Sequence, residues 1–188
     1  MTLEELLAAD PNTLPYRLRR LATGEVVVAS FEPSTAEDAE ESGGEDWRGA
    51  KFAEVWPEFV ELPGTLKLVL AHGEDRRIQG IMRLGQVEAP SCPLTGSLLE
   101  SAPWNQEGAE PRGYAGVGRA LVRRLVVESL RQGGEGSILD RAAPGSVGFY
   151  RALGFVVVPP GEPPDHVFLT RKRAFELLEE AWGVTYEP

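Results

Sequence analysis

Glycines at positions 113, 116 and 118, flanked by Arg112 and Arg119, have the types and spacing to do chemistry in this chain. They lie in Arg112-Gly113-Tyr114-Ala115-Gly116-Val117-Gly118-Arg119-Ala120-Leu121, directly ahead of an apolar pattern of helical period. Glycine tolerates positive φ and leaves its neighbouring amides uncovered. At a helix start those amides and the helix dipole form a site for an anion such as a diphosphate. Arg112 and Arg119 would add positive charge. No Ser/Thr-Lys pair follows, which excludes a P-loop, and a dinucleotide fingerprint would need a glycine where Leu121 stands. The simpler alternative is that the glycines only begin a helix.

Other reactive residues are sparse. Glu100 is an isolated acid at the end of a strand candidate and could act as a base or hold a water. Tyr150 sits in Gly148-Phe149-Tyr150-Arg151-Ala152-Leu153-Gly154-Phe155, where it is either a proton donor or one more core aromatic. His72 and His166 read as structural or surface residues, and Cys92 lacks a partner for nucleophilic work. With no histidine–carboxylate cluster and one cysteine, neither a metal site nor a disulfide framework is expected.

The elements that must position these residues follow from periodicity and punctuation. Thr2-Leu3-Glu4-Glu5 has capping-box spacing and opens a short helix ended by Pro11. A strand is predicted over Glu25–Phe31. A second capping box at Ser34-Thr35-Ala36-Glu37 begins a helix to about Glu41, and a further helix fits Trp47–Trp56. Thr65–Ala71 and Arg77–Leu84 read as a hairpin, and Gly96–Ala102 as a short strand before the polar loop Asn105–Arg112. Val117, Leu121, Val122, Leu125, Val126 and Leu130 form one stripe of a helix that Gly133-Gly134 ends. A brief strand at Ser137–Leu139, a helix from Pro144 to Gly154, strands at Phe155–Val158 and His166–Thr170, and a helix over Arg173–Trp182 complete the chain. This order implies a mixed sheet, α/β or α+β.

The 188 residues suit one domain, with 1–23 as an amino-terminal extension, 24–171 as the core and 172–188 as a carboxy-terminal helix and tail. The net charge of −10 argues against a phosphate-backbone binder, so no nucleic-acid partner is expected. No apolar run is long enough to cross a bilayer, and the acidic start is unlike a secretory signal. Together these features point to a cytoplasmic protein without a membrane partner. The terminal helices, with Trp182, are candidates for a homodimer contact.

The glycine segment resembles the acetyl-CoA pyrophosphate loop of GNAT N-acetyltransferases, (Gln/Arg)-x-x-Gly-x-(Gly/Ala), with Gly116 and Gly118 in the glycine positions. Phe149-Tyr150 through Gly154-Phe155 resembles the Phe-Tyr-x-x-x-Gly-Phe block that follows in that superfamily. Leu99–Asn105 is similar to a block of a divergent bacterial branch. Two positions depart from the pattern: Gly113 stands in the Gln/Arg position with Arg112 one place early, and Ala143 replaces a frequent asparagine. The resemblance implies a central mixed, twisted sheet of about seven strands flanked by helices, with extra helices at both ends. It implies acetyl-CoA as co-substrate, held by Arg112, Gly113, Tyr114, Ala115, Gly116, Val117, Gly118, Arg119 and Ala120, with pantetheine pairing near Ala102. Tyr150 would be the general acid and Glu100 the base, for direct transfer to an amine without a metal. The acids between Glu37 and Asp46 would then attract a cationic acceptor. The competing expectations are an acyl-CoA-binding module without catalysis and, from the glycines alone, a nucleotide-binding protein.

Overall fold

A computed structural model describes residues 1–41, 47, 64–72, 77–143, 145–158 and 166–184. The chain forms two compact units. One comprises Asn12–Leu84 and Leu98–Leu121, and the other Met1–Pro11, Gly85–Ser97 and Val122–Pro188.

The first unit is built on a six-stranded sheet. Its strands are β1 (Tyr16–Arg20), β2 (Val26–Pro33), β3 (Thr65–Leu70), β4 (Gly80–Arg83), β5 (Leu98–Ser101) and β6 (Tyr114–Ala115), in the order β5-β4-β3-β2-β1-β6. Every pairing in it is antiparallel. The expected hairpin of Thr65–Ala71 with Arg77–Leu84 is β3–β4, and the expected strand over Glu25–Phe31 is β2. β1 is a strand the sequence reading left inside the extension. Its residues alternate, with Tyr16 and Leu18 buried and Arg17 and Arg19 exposed, which is the period of a half-buried strand. The positive-φ Gly24 closes the turn to β2, which sets Leu18 opposite Val27.

Helix α1 (Leu3–Ala8) belongs to the second unit and α2 (Ala36–Glu41) to the first. At α1 the predicted capping box is present: Glu5 N–H donates to Thr2 Oγ1 at 3.1 Å and Thr2 N–H to Glu5 Oε2 at 2.7 Å. At α2 the predicted box does not form; only the acid's half of one is present, a residue later. Thr35 N–H and Oγ1 donate to Asp38 Oδ2 at 2.6 and 3.0 Å, while the Ser34 hydroxyl turns to the carbonyl of Thr65 on β3. Burial works to raise the Asp38 carboxyl, but the Lys67 ammonium at 2.6 Å and the Thr35 bonds outweigh it and hold the group below its ordinary value. Asp38 is therefore engaged in a structural ion pair. The rest of the expected Trp47–Trp56 helix, residues 42–46 of the acidic loop, turn residues 73–76, Pro144 and the Pro159–Pro164 loop lie outside the described residues.

Helix α3 (Val117–Arg131) starts in the first unit and runs on into the second, where Val122, Leu125, Val126 and Val127 are buried. The second unit also holds a three-stranded antiparallel sheet of β7 (Ile138–Arg141), β8 (Val156–Val157) and β9 (His166–Leu169), in the order β7-β9-β8. Leu94 adds one parallel bridge to Ile138. The α/β class stands, but the described strands divide between two sheets and exceed the expected seven.

Helix α4 (Val147–Ala152) is shorter than expected from Pro144, and α5 (Arg171–Trp182) starts earlier than Arg173. The Thr170 hydroxyl accepts Arg173 N–H at 3.3 Å and so sets the start of α5; Gly183 ends it in the left-handed region. Its apolar face of Ala174, Phe175, Leu177 and Leu178 is buried. Arg131 donates to the carbonyls of Leu7 at 3.1 Å and Ala9 at 3.0 Å, satisfying the open end of α1.

Candidate functional site

The glycine turn is held at its entry and open at its exit. Gly113 N–H donates to the Trp104 carbonyl at 2.8 Å, and Gly113 C=O accepts Leu21 N–H at 3.0 Å. Tyr114 N–H donates to Asn105 Oδ1 at 2.7 Å, its ring is buried, and the Arg20 guanidinium lies 5.9 Å from the ring centroid. Ala115 pairs with Arg19 across β6 and β1. Gly116 then takes φ +94°, a conformation that L side chains rarely adopt, and this is why glycine stands there. The first bond of the α3 ladder is Ala120 N–H to Gly116 C=O at 2.9 Å. The main-chain N–H groups of Val117 and Gly118 precede that bond and have no intrahelical acceptor. They stand at the positive end of a helix that extends to Arg131.

Behind the turn lies a buried amide network. Asn105, 3% exposed, donates through Nδ2 to the Gln79 carbonyl at 3.0 Å and to Gln79 Oε1 at 2.9 Å, while its Oδ1 accepts from Tyr114. Gln79, fully buried, donates through Nε2 to the Arg77 carbonyl at 2.9 Å, and its N–H bonds Leu68 C=O on β3 at 2.7 Å. In the sheet order β4 and β6 are four strand spacings apart, about 19 Å if flat. One carboxamide joins the residue before β4 to the first residue of β6, so the sheet must curl on itself. Gly113 admits that carboxamide, because a Cβ there would lie 2.8 Å from Asn105 Oδ1.

These contacts narrow the set of residues expected to hold a coenzyme. The N–H groups of Gly113, Tyr114 and Ala120 are engaged internally, as described, which leaves Gly116, Val117 and Gly118 as the open part of the turn. Ala102 is fully buried, its N–H bonded to Gln79 C=O at 3.0 Å and its C=O accepting from Asn105 N–H at 2.8 Å. Arg112 is exposed, and its Nε donates to the Asn105 carbonyl at 3.1 Å, which braces the loop. Arg119 is exposed in the first turn of α3. Glu100 is half-buried on β5 opposite Ile81 and accepts from Gln106 Nε2 at 3.3 Å. Nearby, Trp47 and Trp104 make an edge contact with centroids 6.4 Å apart beside Ile78, Ile81 and Ala102, and Arg77 lies over the Trp104 ring at 5.4 Å.

Tyr150 belongs to the second unit, on α4. It is 7% exposed and stands edge-on to Phe149 at 5.2 Å and Phe155 at 5.1 Å. Burial first, and the Asp140 carboxylate second, push its phenol well above the ordinary value, so the hydroxyl keeps its proton. Asp140 is buried on β7, in register with Val167 of β9. Desolvation pushes its carboxyl up to about 7 despite the opposing bond from Arg141 N–H at 3.1 Å and the nearby polar groups of Ser97. Among the described residues no salt bridge reaches it. The sequence reading missed both Asn105 and Asp140. A strand extended one residue beyond Leu139 would have put Asp140 on the buried face with Ile138, whereas nothing local marks Asn105. His72 and His166 are not buried and Cys92 is exposed. Among the described residues no group of three or more His, Cys, Asp or Glu could hold a metal ion, and no helix is long and apolar enough to cross a membrane.

No protein-family model matches this chain, and no curated protein matches it. A solved structure described as the acetyltransferase (GNAT family) from Bacillus anthracis matches it with a TM-score of 0.50 and 13% identity, over 77% of this chain and 95% of that chain. The fold is GNAT-like. An uncharacterized protein from Bacillus halodurans matches with a TM-score of 0.47 and 13% identity, over 90% of this chain and 98% of that one.

Proposed function

We propose that this GNAT-like chain is an acyl-CoA-dependent acyltransferase that moves an acetyl group from acetyl-CoA to an amine. The observation that carries the reading is the open exit of the glycine turn: the Val117 and Gly118 amides at the start of α3, after a glycine with φ +94°. Such amides suit a diphosphate, and the residues present fit one without a metal. Acetyl-CoA, when bound, supplies the acetyl group as an activated thioester. An alkylammonium acceptor, with an ordinary pKa of about 10.4, must lose a proton before its nitrogen can attack. Glu100 is the candidate group to receive or relay that proton. The C–S bond then breaks, and the departing sulfur needs a donor. The resemblance assigns that role to Tyr150, whose protonated hydroxyl can donate a hydrogen bond. The net charge of −10 favours a cationic acceptor.

A second reading, an acyl-CoA-binding module without turnover, draws on the same tyrosine. A phenol pushed far above its ordinary value gives up its proton reluctantly. Thermal melting separates these readings from a nucleotide-binding protein. Acetyl-CoA at 100 times its Kd should stabilise the fold by about 2.7 kcal/mol, while NAD and ATP do nothing. Thiol release with a panel of amines then tests catalysis. Release above the buffer rate that falls at least ten-fold in Tyr150→Phe supports transfer, whereas binding without release from any amine leaves only the second reading. Stabilisation by NAD or ATP and not by acetyl-CoA rejects both.

A further inference from the structure

We infer that Asn105 is a positioning residue for the coenzyme turn, fixing its entry from behind; the inference rests on the acyl-CoA reading above. Three observations converge on it. The Asn105 carboxamide bonds Tyr114 N–H, two residues ahead of Gly116, at 2.7 Å, so it fixes where the turn begins. Its other end is anchored on Gln79, a residue with no exposed surface whose own amide is held by the Arg77 carbonyl. A Cβ at 113 would lie 2.8 Å from Oδ1, so the absence of a side chain at 113 and the presence of the carboxamide go together.

The consequence is a division of labour along the segment. The N–H groups of Gly113 and Tyr114 are fastened, whereas those of Val117 and Gly118, at the start of the helix, have no acceptor within it. An amide makes a better fastener here than a carboxylate, because it must donate to Gln79 and accept from Tyr114 at once. Releasing it would let the two-residue strand β6 drift along β1 and scatter the amides that must converge on the diphosphate. Binding through the remainder of the coenzyme does not depend on that convergence.

The test compares two ligands on the full chain. Acetyl-CoA carries the diphosphate, and S-acetylpantetheine lacks every phosphate. Affinity for acetyl-CoA is read by calorimetry and for S-acetylpantetheine by NMR titration, in wild type, Asn105→Ala and Gly113→Ala. Both variants should bind acetyl-CoA at least ten-fold more weakly while binding S-acetylpantetheine within two-fold of wild type. Equal weakening toward both ligands, or no weakening toward acetyl-CoA, overturns the inference. Gly113→Ala keeps the Asn105 side chain and only crowds its Oδ1 against the turn, so it carries the test alone if Asn105→Ala does not fold. The underlying reading fails in a different way, if wild type binds acetyl-CoA no more tightly than S-acetylpantetheine.

Discussion

Two sites, one in each unit, bury polar side chains in opposite manners. Around Asn105 and Gln79 the buried groups are neutral amides, and donors and acceptors face one another at 2.7 to 3.0 Å. Around Asp140 the buried group is an acid whose opposing bonds do not offset its desolvation. A neutral amide network is indifferent to pH and serves to fix geometry. A buried acid without a cation makes the surrounding structure sensitive to protons.

The largest effect that would sharpen this contrast belongs to Asp140. Its folded value of about 7 lies above the ordinary 3.8, so the folded state holds a proton that the unfolded state releases between those values. Stability should therefore be fully present below about pH 4 and be lost as pH rises through 7, by ~4 kcal/mol in all. Asp140→Asn removes that dependence. In urea titrations the variant should gain on wild type by this amount between pH 4 and pH 8. A gap that stays constant across the range would place Asp140 with the amides.

Gln79→Leu should cost about 2 kcal/mol, because the buried Asn105 amide loses a side-chain partner and Arg77 C=O loses its donor. Measured at pH 5 and pH 8, that cost should be the same. A pH-dependent cost would dissolve the comparison from the other side. The smallest effect is Thr170→Ala, which removes the cap of α5 and should cost about 1 kcal/mol at any pH. A loss above 3 kcal/mol there would mean that the second unit depends on α5 more heavily than its cap suggests.

What the sequence disclosed follows the range of the interactions. The Thr2–Glu5 box, the α3 stripe and the β3–β4 hairpin rest on contacts a few residues apart or on simple periods, and they are where the reading put them. Local chemistry was also the source of small errors. Two hydroxyls in a row made Ser34 look like the cap of α2, but its hydroxyl goes to the Thr65 carbonyl, and that of Thr35 donates to the Asp38 carboxylate. β1 was hidden because arginines fill three of its five positions, although Tyr16 and Leu18 keep the alternation. The glycine turn was legible as a motif, but which of its amides remain open was not. That depends on Asn105, which reaches a partner 26 residues away and another 9 residues away. The raised pKa of Asp140 comes from burial that no local pattern shows, on a strand paired with β9 from a distant part of the chain.

The rims of the two sheets bear on how the protein behaves at high concentration. Among the described residues the outermost strands are β5 and β6 in one sheet and β7 and β8 in the other, and none exceeds four residues. Leu94 already occupies the outer side of β7 at Ile138. Strands this short offer a stray chain few backbone groups to template on, which is how natural sheets discourage edge-to-edge aggregation. The molecule should thus stay dispersed on crowding and resist fibril seeding, even with valines 26, 28 and 156 open to solvent.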